Sequence, residues 1–337
     1  MRSKNIVITN QFVRAAGKGD EITVLSLLLT SKVIINRKNS RGYSALIFAA
    51  KNNKESMVSL LLEEGANINS KDASNGDTAL MLAAITSNER MASLLLDEGA
   101  DINIQNYYGF TALMHAAKNG KESMVSLLLD GEADLNVKSN NGSTALILAT
   151  DYNKENIVSL LLDKGADTNI QDSSGSTALI YAAQYGTYNM VSFLLDRGTN
   201  INIQDNVGYT ALVLAIDNNK DSMVSFLLDR GADTNIRNIN GFTALMHAAR
   251  RNNESMVSLL LDRGADINIQ NIYGSTALMY AARDNKENIA ALLLDRGADM
   301  NIKDNNGKSV FNITINPCII SMLENKRKLE SQVNNFY

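Results

Sequence analysis

The sequence predicts an all-α chain, a solenoid of about ten helix-turn-helix layers joined by short β-turn or hairpin loops. Three observations carry this expectation. A glycine followed by x-Thr/Ser-Ala-Leu recurs at Gly42, Gly76, Gly109, Gly142, Gly175, Gly208, Gly241 and Gly274, and a degraded copy opens at Gly307. The step is 33 residues every time except the first, which is 34; a fixed period of that size is the signature of stacked supersecondary units. The later half of each unit carries apolar residues on more than one narrow stripe, so it needs cover on several sides, as inside a stack.

The segment 9–38 reads as a leading cap. Phe12-Val13-Arg14-Ala15-Ala16-Gly17 mimics the first helix of a unit and Ile22–Leu29 the second. Full units follow at 40–70, 74–103, 107–136, 140–169, 173–202, 206–235, 239–268 and 272–301. The extra residue of the first step falls in Lys71-Asp72-Ala73-Ser74-Asn75, a polar loop where insertion is cheap.

The unit at 107–136 shows the local logic. Asn106-Tyr107-Tyr108-Gly109 is turn chemistry. Thr111 is a natural N-cap for a short helix beginning Ala112-Leu113-Met114. Asn119-Gly120 ends that helix, because glycine tolerates left-handed backbone. A second helix runs from Glu122 to Asp130, its early acid placed at the positive end of the helix dipole. In this unit Gly131-Glu132 inverts the order of Arg230-Gly231, so a glutamate falls where left-handed backbone is expected and the layer is weakened. A degenerate trailing cap spans 305–334. Its second helix is expected at Cys318-Ile319-Ile320-Ser321-Met322-Leu323, with Cys318 a small core residue and the charged run Glu324–Lys328 facing outward.

These units resemble the ankyrin repeat, in which a β-turn precedes two antiparallel helices. The resemblance covers about residues 40–303 and rests on Thr-x-Leu-x-x-Ala-Ala and Leu-Leu-Leu-Asp-x-Gly-Ala-Asp in near-regular copies. The fold class is therefore an ankyrin-repeat solenoid. The asparagine-rich style is similar to ankyrin families of giant DNA viruses and intracellular bacteria, which implies a cytoplasmic, host-cell setting. The family's Thr-Pro-Leu-His is absent: alanine stands for proline, as at Ala112, Ala178 and Ala244, and apolar residues such as Ile47 and Met114 stand for histidine. The inter-repeat hydrogen bonds of that histidine are expected to be missing. His115 and His247 fall one position later and are not expected to inherit them.

The resemblance implies a non-enzymatic scaffold that grips protein partners in a concave groove formed by turn tips and first helices. Tyr43, Tyr107, Tyr108, Phe110, Tyr209, Phe242 and Tyr273 stand at the tips, and aromatics are favoured interface anchors. Tyr152, Tyr185, Arg250, Arg251 and Arg283 stand on the first-helix face. The arginines suggest a partner with acidic groups. A rival reading is a host-directed adaptor recruiting cellular machinery such as a ubiquitin ligase, which needs a second surface. The resemblance also implies that closing asparagines such as Asn69, Asn103 and Asn136 are possible substrates of an asparaginyl hydroxylase; bonding to their own turn backbone is the simpler role.

A further gradient runs through Glu64, Glu98, Gly131, Lys164, Arg197, Arg230, Arg263 and Arg296, acidic first and basic later. It reads as a device for solubility, for orienting a partner or for head-to-tail contact between chains. Other chemistry is excluded by composition. Formal charge is −4, with 45% hydrophobic and 20% charged residues, so no cationic field exists to hold nucleic acid or an anionic membrane. No apolar run approaches a bilayer span, no signal-peptide core is visible, and a monomer is expected. One cysteine and two histidines give no metal site, and no cofactor motif survives inspection. Gly307-Lys308-Ser309 lacks the upstream glycine of a phosphate loop, since Ile302 stands there. No nonperiodic acid, base or nucleophile cluster points to catalysis.

Overall fold

A threonine or serine opens every regular first helix. The side chains of Ser44, Thr78, Thr111, Thr144, Thr177, Thr210 and Thr276 each accept the amide three residues on. Each such cap is worth about 1 kcal/mol to its helix. Thr243 holds the same extended backbone without the side-chain bond. The computed structural model describes residues 2–30 and 33–334; among them there are twenty helices and no strand.

The chain divides into two compact units, residues 1–173 and 174–337. The first holds α1 (Arg2–Lys18), α2 (Glu21–Thr30), α3 (Ala45–Lys51), α4 (Glu55–Glu63), α5 (Ala79–Thr86), α6 (Glu89–Asp97), α7 (Ala112–Lys118), α8 (Glu122–Asp130), α9 (Ala145–Asp151) and α10 (Glu155–Asp163). The second holds α11 (Ala178–Tyr185), α12 (Tyr188–Asp196), α13 (Ala211–Asp217), α14 (Asp221–Asp229), α15 (Ala244–Arg250), α16 (Glu254–Asp262), α17 (Ala277–Arg283), α18 (Glu287–Asp295), α19 (Val310–Ile313) and α20 (Pro317–Asn334). Within each unit, first helices pack on first helices and second on second, as α5 on α7 and α16 on α18.

Alanine explains the close approach of the first helices. Ala112, Ala116 and Ala117 are buried together with Leu113 and Met114, and the same pattern repeats at Ala244, Ala248 and Ala249. On the second helices Met124, Val125 and Leu128 are fully buried. Burying one such side chain stabilises by about 1.5–3 kcal/mol, so each layer depends on its neighbours and has no separate core.

Left-handed backbone joins the two helices in all the regular layers but one: Ser87 takes it at φ 59°, whereas Gly186 joins α11 to α12 at φ −83°. Gly120 does this at φ 68°, and Asn53, Asn153, Asn219, Asn252 and Asn285 do it elsewhere. Asparagine is among the few non-glycine residues that enter this region readily. After the second helix, glycine holds the same conformation, except that Glu132 takes it at φ 63° while Gly131 sits at −83°.

Turn tips are linked layer to layer by single backbone bonds. Tyr107 N donates to Asn75 O at 2.8 Å, and Ile239 N to Val207 O at 3.1 Å. The one-residue insertion is absorbed by Asp72, whose buried carboxylate accepts the amides of Asn75, Gly76 and Asp77. Closing asparagines bond across layers. Asn103 Oδ1 accepts Asp134 N at 2.9 Å, and Asn235 Oδ1 accepts Asp266 N at 2.8 Å. The own-turn amide is taken instead by the preceding acid, as Asp134 accepts Asn136 N.

The terminal helices differ from expectation. The first helix of the leading segment begins at Arg2, well before Phe12, because Thr9, Phe12 and Val13 extend its buried stripe. The last helix runs on through the charged segment to Asn334. Its core contacts come from Ile319 and Leu323, one helical turn apart; Cys318 falls off that stripe and is exposed, not a core residue.

Candidate interaction face

The first helices and turn tips place four positions of each layer on one face. They lie one, six, nine and ten residues after the turn glycine. In the unit 1–173, Tyr43 stacks on Phe48 at 5.5 Å, and Lys51 Nζ lies 4.7 Å over the Tyr43 ring while donating to its hydroxyl at 2.9 Å. Phe110 and His115 are 5.2 Å apart. Lys118 Nζ is 5.8 Å from the Phe110 ring centre and 4.7 Å from that of Tyr152. Tyr108, Phe110, His115 and Lys118, with Asn75 and Asn140, line a cavity of about 440 Å³.

A buried carboxylate underlies that cavity. Asp77 accepts Asn106 Nδ2 at 2.7 Å and lies 3.6 Å from His115 Nε2. Burial pushes its pKa up, but hydrogen bonds from His115, Asn106 and Asn75 outweigh that and hold the carboxyl below its ordinary value. His247 is arranged alike in the other unit. Its Nδ1 meets Asp217 Oδ1 at 3.1 Å, and Arg251 Nε donates to the same oxygen at 2.9 Å. Burial again opposes ionisation of Asp217, and the bonds and charges of His247 and Arg251 prevail, leaving its pKa lowered. The histidines therefore do carry inter-layer bonds, contrary to the sequence expectation, because their position faces the preceding layer as well as the groove side.

In the unit 174–337 the rings form a chain. Tyr209 meets His247 edge-on at 5.4 Å, Phe242 meets it at 5.8 Å, and Phe242 lies 5.0 Å from Tyr280. Asn271 Nδ2 donates to the Tyr280 hydroxyl at 2.8 Å and fixes that ring. The Arg250 guanidinium sits 5.5 Å from Phe242 and 5.8 Å from Tyr280, and that of Arg283 sits 4.4 Å from Tyr280.

The expected anchors divide by exposure. Tyr107, Tyr108, Tyr152, Tyr185 and Tyr273 are exposed, at 54%, 59%, 45%, 58% and 56%. Tyr107 nonetheless rests on Gly76, where an added Cβ would meet its ring at 2.7 Å. Tyr43, Phe110, Tyr209 and Phe242 are half-buried and serve as platforms. Arg250 is held by rings, Arg251 by Asp217, and Arg283 by Tyr280 and by Asp284 at 3.1 Å. Phe48 and Tyr280 belong to this face and were not expected. They share the register of His115 and His247, and that register was the available signal.

The opposite face closes on itself. Lys164 bonds Asp130 at 3.0 Å, Arg230 bonds Asp196 at 2.7 Å, Arg263 bonds Asp229 at 2.6 Å and Arg296 bonds Asp262 at 2.6 Å. Lys164, Arg230, Arg263 and Arg296 of the gradient are thus each paired with the acid that ends the preceding second helix. Among the described residues no three His, Cys, Asp or Glu side chains converge as a metal site requires, and no helix is long and apolar enough to cross a membrane.

No curated protein sequence matches this chain. The ankyrin repeat domain of Bcl-3, described as a unique member of the IkappaB protein family, is similar in structure, with a TM-score of 0.57 and 27% identity. That likeness covers 74% of this chain and 99% of the Bcl-3 chain. The family model for ankyrin repeats (three copies) matches residues 12–106, 103–172, 165–238 and 231–304. The match reaches back over the leading segment that the sequence marked as a cap. With two short helices per layer, threonine-capped first helices and linked turn tips, the chain belongs to the ankyrin repeat family.

Proposed function

We propose that this protein is a non-enzymatic scaffold that binds partner proteins along the face built by its turn tips and first helices. One contrast carries the reading. The second helices keep a largely repeated pattern, departing at residues such as Arg90, Tyr188 and Ala291, and Lys164, Arg230, Arg263 and Arg296 pair with acids one layer back. The first-helix face varies from layer to layer and leaves Tyr108, Tyr152, Tyr185 and Tyr273 exposed. Variation that the fold does not require, on a preformed surface with little ordering cost, suits recognition. The protein acts as a monomer in the cytoplasm in this reading, with no cofactor. The similarity to the Bcl-3 ankyrin repeat domain supports the class of function and not a particular partner.

The adaptor reading gains support from α2. The regular second helices carry polar residues at three outward positions, such as Ser123, Ser126 and Asp130, with Ala291 the one exception. The matching residues of α2 are Ile22, Leu25 and Leu29, exposed by 83%, 37% and 86%. Such a stripe is a natural second contact surface.

Affinity capture from the producing cell, with the wild-type chain beside a Tyr107/Tyr108/Phe110→Ala triple variant and an Arg263→Ala control, tests the primary reading. Loss of discrete partners in the triple variant alone is expected. Retention of every partner by the triple variant and by a Tyr152/Tyr185→Ala pair contradicts it.

A further inference from the structure

The cations on the two faces differ in what satisfies them. On the second helices each paired cation has a carboxylate within 3.0 Å. On the first helices Lys51, Lys118 and Arg250 have no carboxylate within 4 Å among the described residues and lie on aromatic rings, although Lys118 also acts on Asp151 through its charge. A cation resting on a ring keeps its donors available, and the ring limits the rotamer freedom that binding would otherwise remove.

The arrangement is most developed at Phe242, Arg250, Tyr280 and Arg283. Two guanidinium groups from successive layers share the Tyr280 ring, which Asn271 holds in place. Arg283 gives only its Nε to Asp284. The nearby acid Asp217 is engaged by His247 and Arg251. Beside Arg283 a cavity of about 270 Å³ opens between Tyr280, Met279, Lys308 and Asp304, whose Oδ1 is taken by the amides of Asn306 and Lys308.

We infer that this part of the face binds an acidic segment of extended polypeptide, its carboxylates spaced about three residues apart. The inference rests on the protein-binding reading and adds the partner's chemistry. Planar guanidinium groups receive carboxylates in paired hydrogen bonds. Successive layers stand roughly 8–10 Å apart, and an extended chain advances about 3.3 Å per residue, so residues i and i+3 meet Arg250 and Arg283 in turn. The face offers only these local charges, on a chain whose formal charge is −4. A long polyanion would find no extended cationic track.

Fluorescence anisotropy tests this with a fluorescein-labelled twelve-residue Gly/Ser peptide carrying Glu at positions 5 and 8. Comparison probes carry Lys at 5 and 8, or Glu at 5 and 6, and a fourth is oligothymidylate. The 5,8-Glu probe is expected to bind best. Arg250→Ala with Arg283→Ala should weaken it about tenfold or more, and Arg263→Ala should leave it unchanged. Equal binding of the Lys probe, tighter binding of oligothymidylate, or full affinity in the double variant overturns the inference. Equal binding of the 5,6-Glu probe overturns the spacing. If the alanine pair lowers the thermal midpoint, Arg250→Lys with Arg283→Lys is read instead: weaker binding supports the paired geometry and unchanged affinity refutes it. Failure of the acidic probe while the tyrosine variants still lose captured partners defeats this inference and leaves the scaffold reading standing.

Discussion

His247 Nδ1 lies 3.1 Å from Asp217 Oδ1, a bond that ties α15 to α13 one layer back. Because a carboxylate only accepts, the imidazole nitrogen is the donor. His247 is 7% exposed, and its Nε2 is buried with no hydrogen-bond partner. The histidine is thereby held against Tyr209 and Phe242 as a wall of the face, not as a ligand offered to solvent.

This bond makes stability depend on acid. Asp217 ionises more readily in the folded chain than its ordinary value of about 3.9. Its contribution is therefore complete above that value and is lost as pH falls through the lower native value. Asp217→Asn should lower stability by about 1–3 kcal/mol at pH 7. Thermal melts from pH 7 down to pH 2 should show the gap between wild type and variant closing only at the acid end. A gap that stays constant would contradict the linkage.

Glu132 carries strain that no other regular layer carries at that position. Glu132→Gly relieves about 1–2 kcal/mol of left-handed strain, partly offset by about 0.5–1 kcal/mol of backbone entropy. A net gain of about 0.5–1 kcal/mol is expected in urea denaturation. Destabilisation would show that the Glu132 side chain has a role of its own.

Leu227 is fully buried in α14. Leu227→Ala should cost about 2–5 kcal/mol. Because α14 packs most on α13, hydrogen exchange should quicken most in α13 and α14 and next in the adjoining layers. Uniform quickening over residues 1–173 and 174–337 would argue for one cooperative block.

The exposed ladder on the second helices should matter little. Arg263→Ala, which removes the 2.6 Å bond to Asp229, should change stability by about 0.2–1 kcal/mol, and less at high salt. A larger loss would show that the pairs act as a network.

Much of the layer was legible because its signals are local. Thr111 caps within three residues, and Asn119-Gly120 breaks within two. What was not legible depends on register between layers. Asn103 reaches Asp134 and Lys164 reaches Asp130 only after the stack forms. The inter-layer role of His115 and His247 was not legible, because Asp77 and Asp217 reach them only once the layers stack. Cys318 was misplaced because the stripe of α20 runs through Ile319 and Leu323, which a six-residue window cannot orient. The ring platforms at Phe48 and Tyr280 were not legible, since apolar residues inside a first helix read as core.

The central claim is that recognition belongs to the first-helix face. A photo-crosslinking residue placed at Tyr152 or Tyr185, and at Ser222 or Ser255 on the second helices, tests it in the producing cell. The account predicts discrete protein adducts from positions 152 and 185 and none from 222 and 255. Adducts confined to 222 and 255, or equal from both faces, would contradict it.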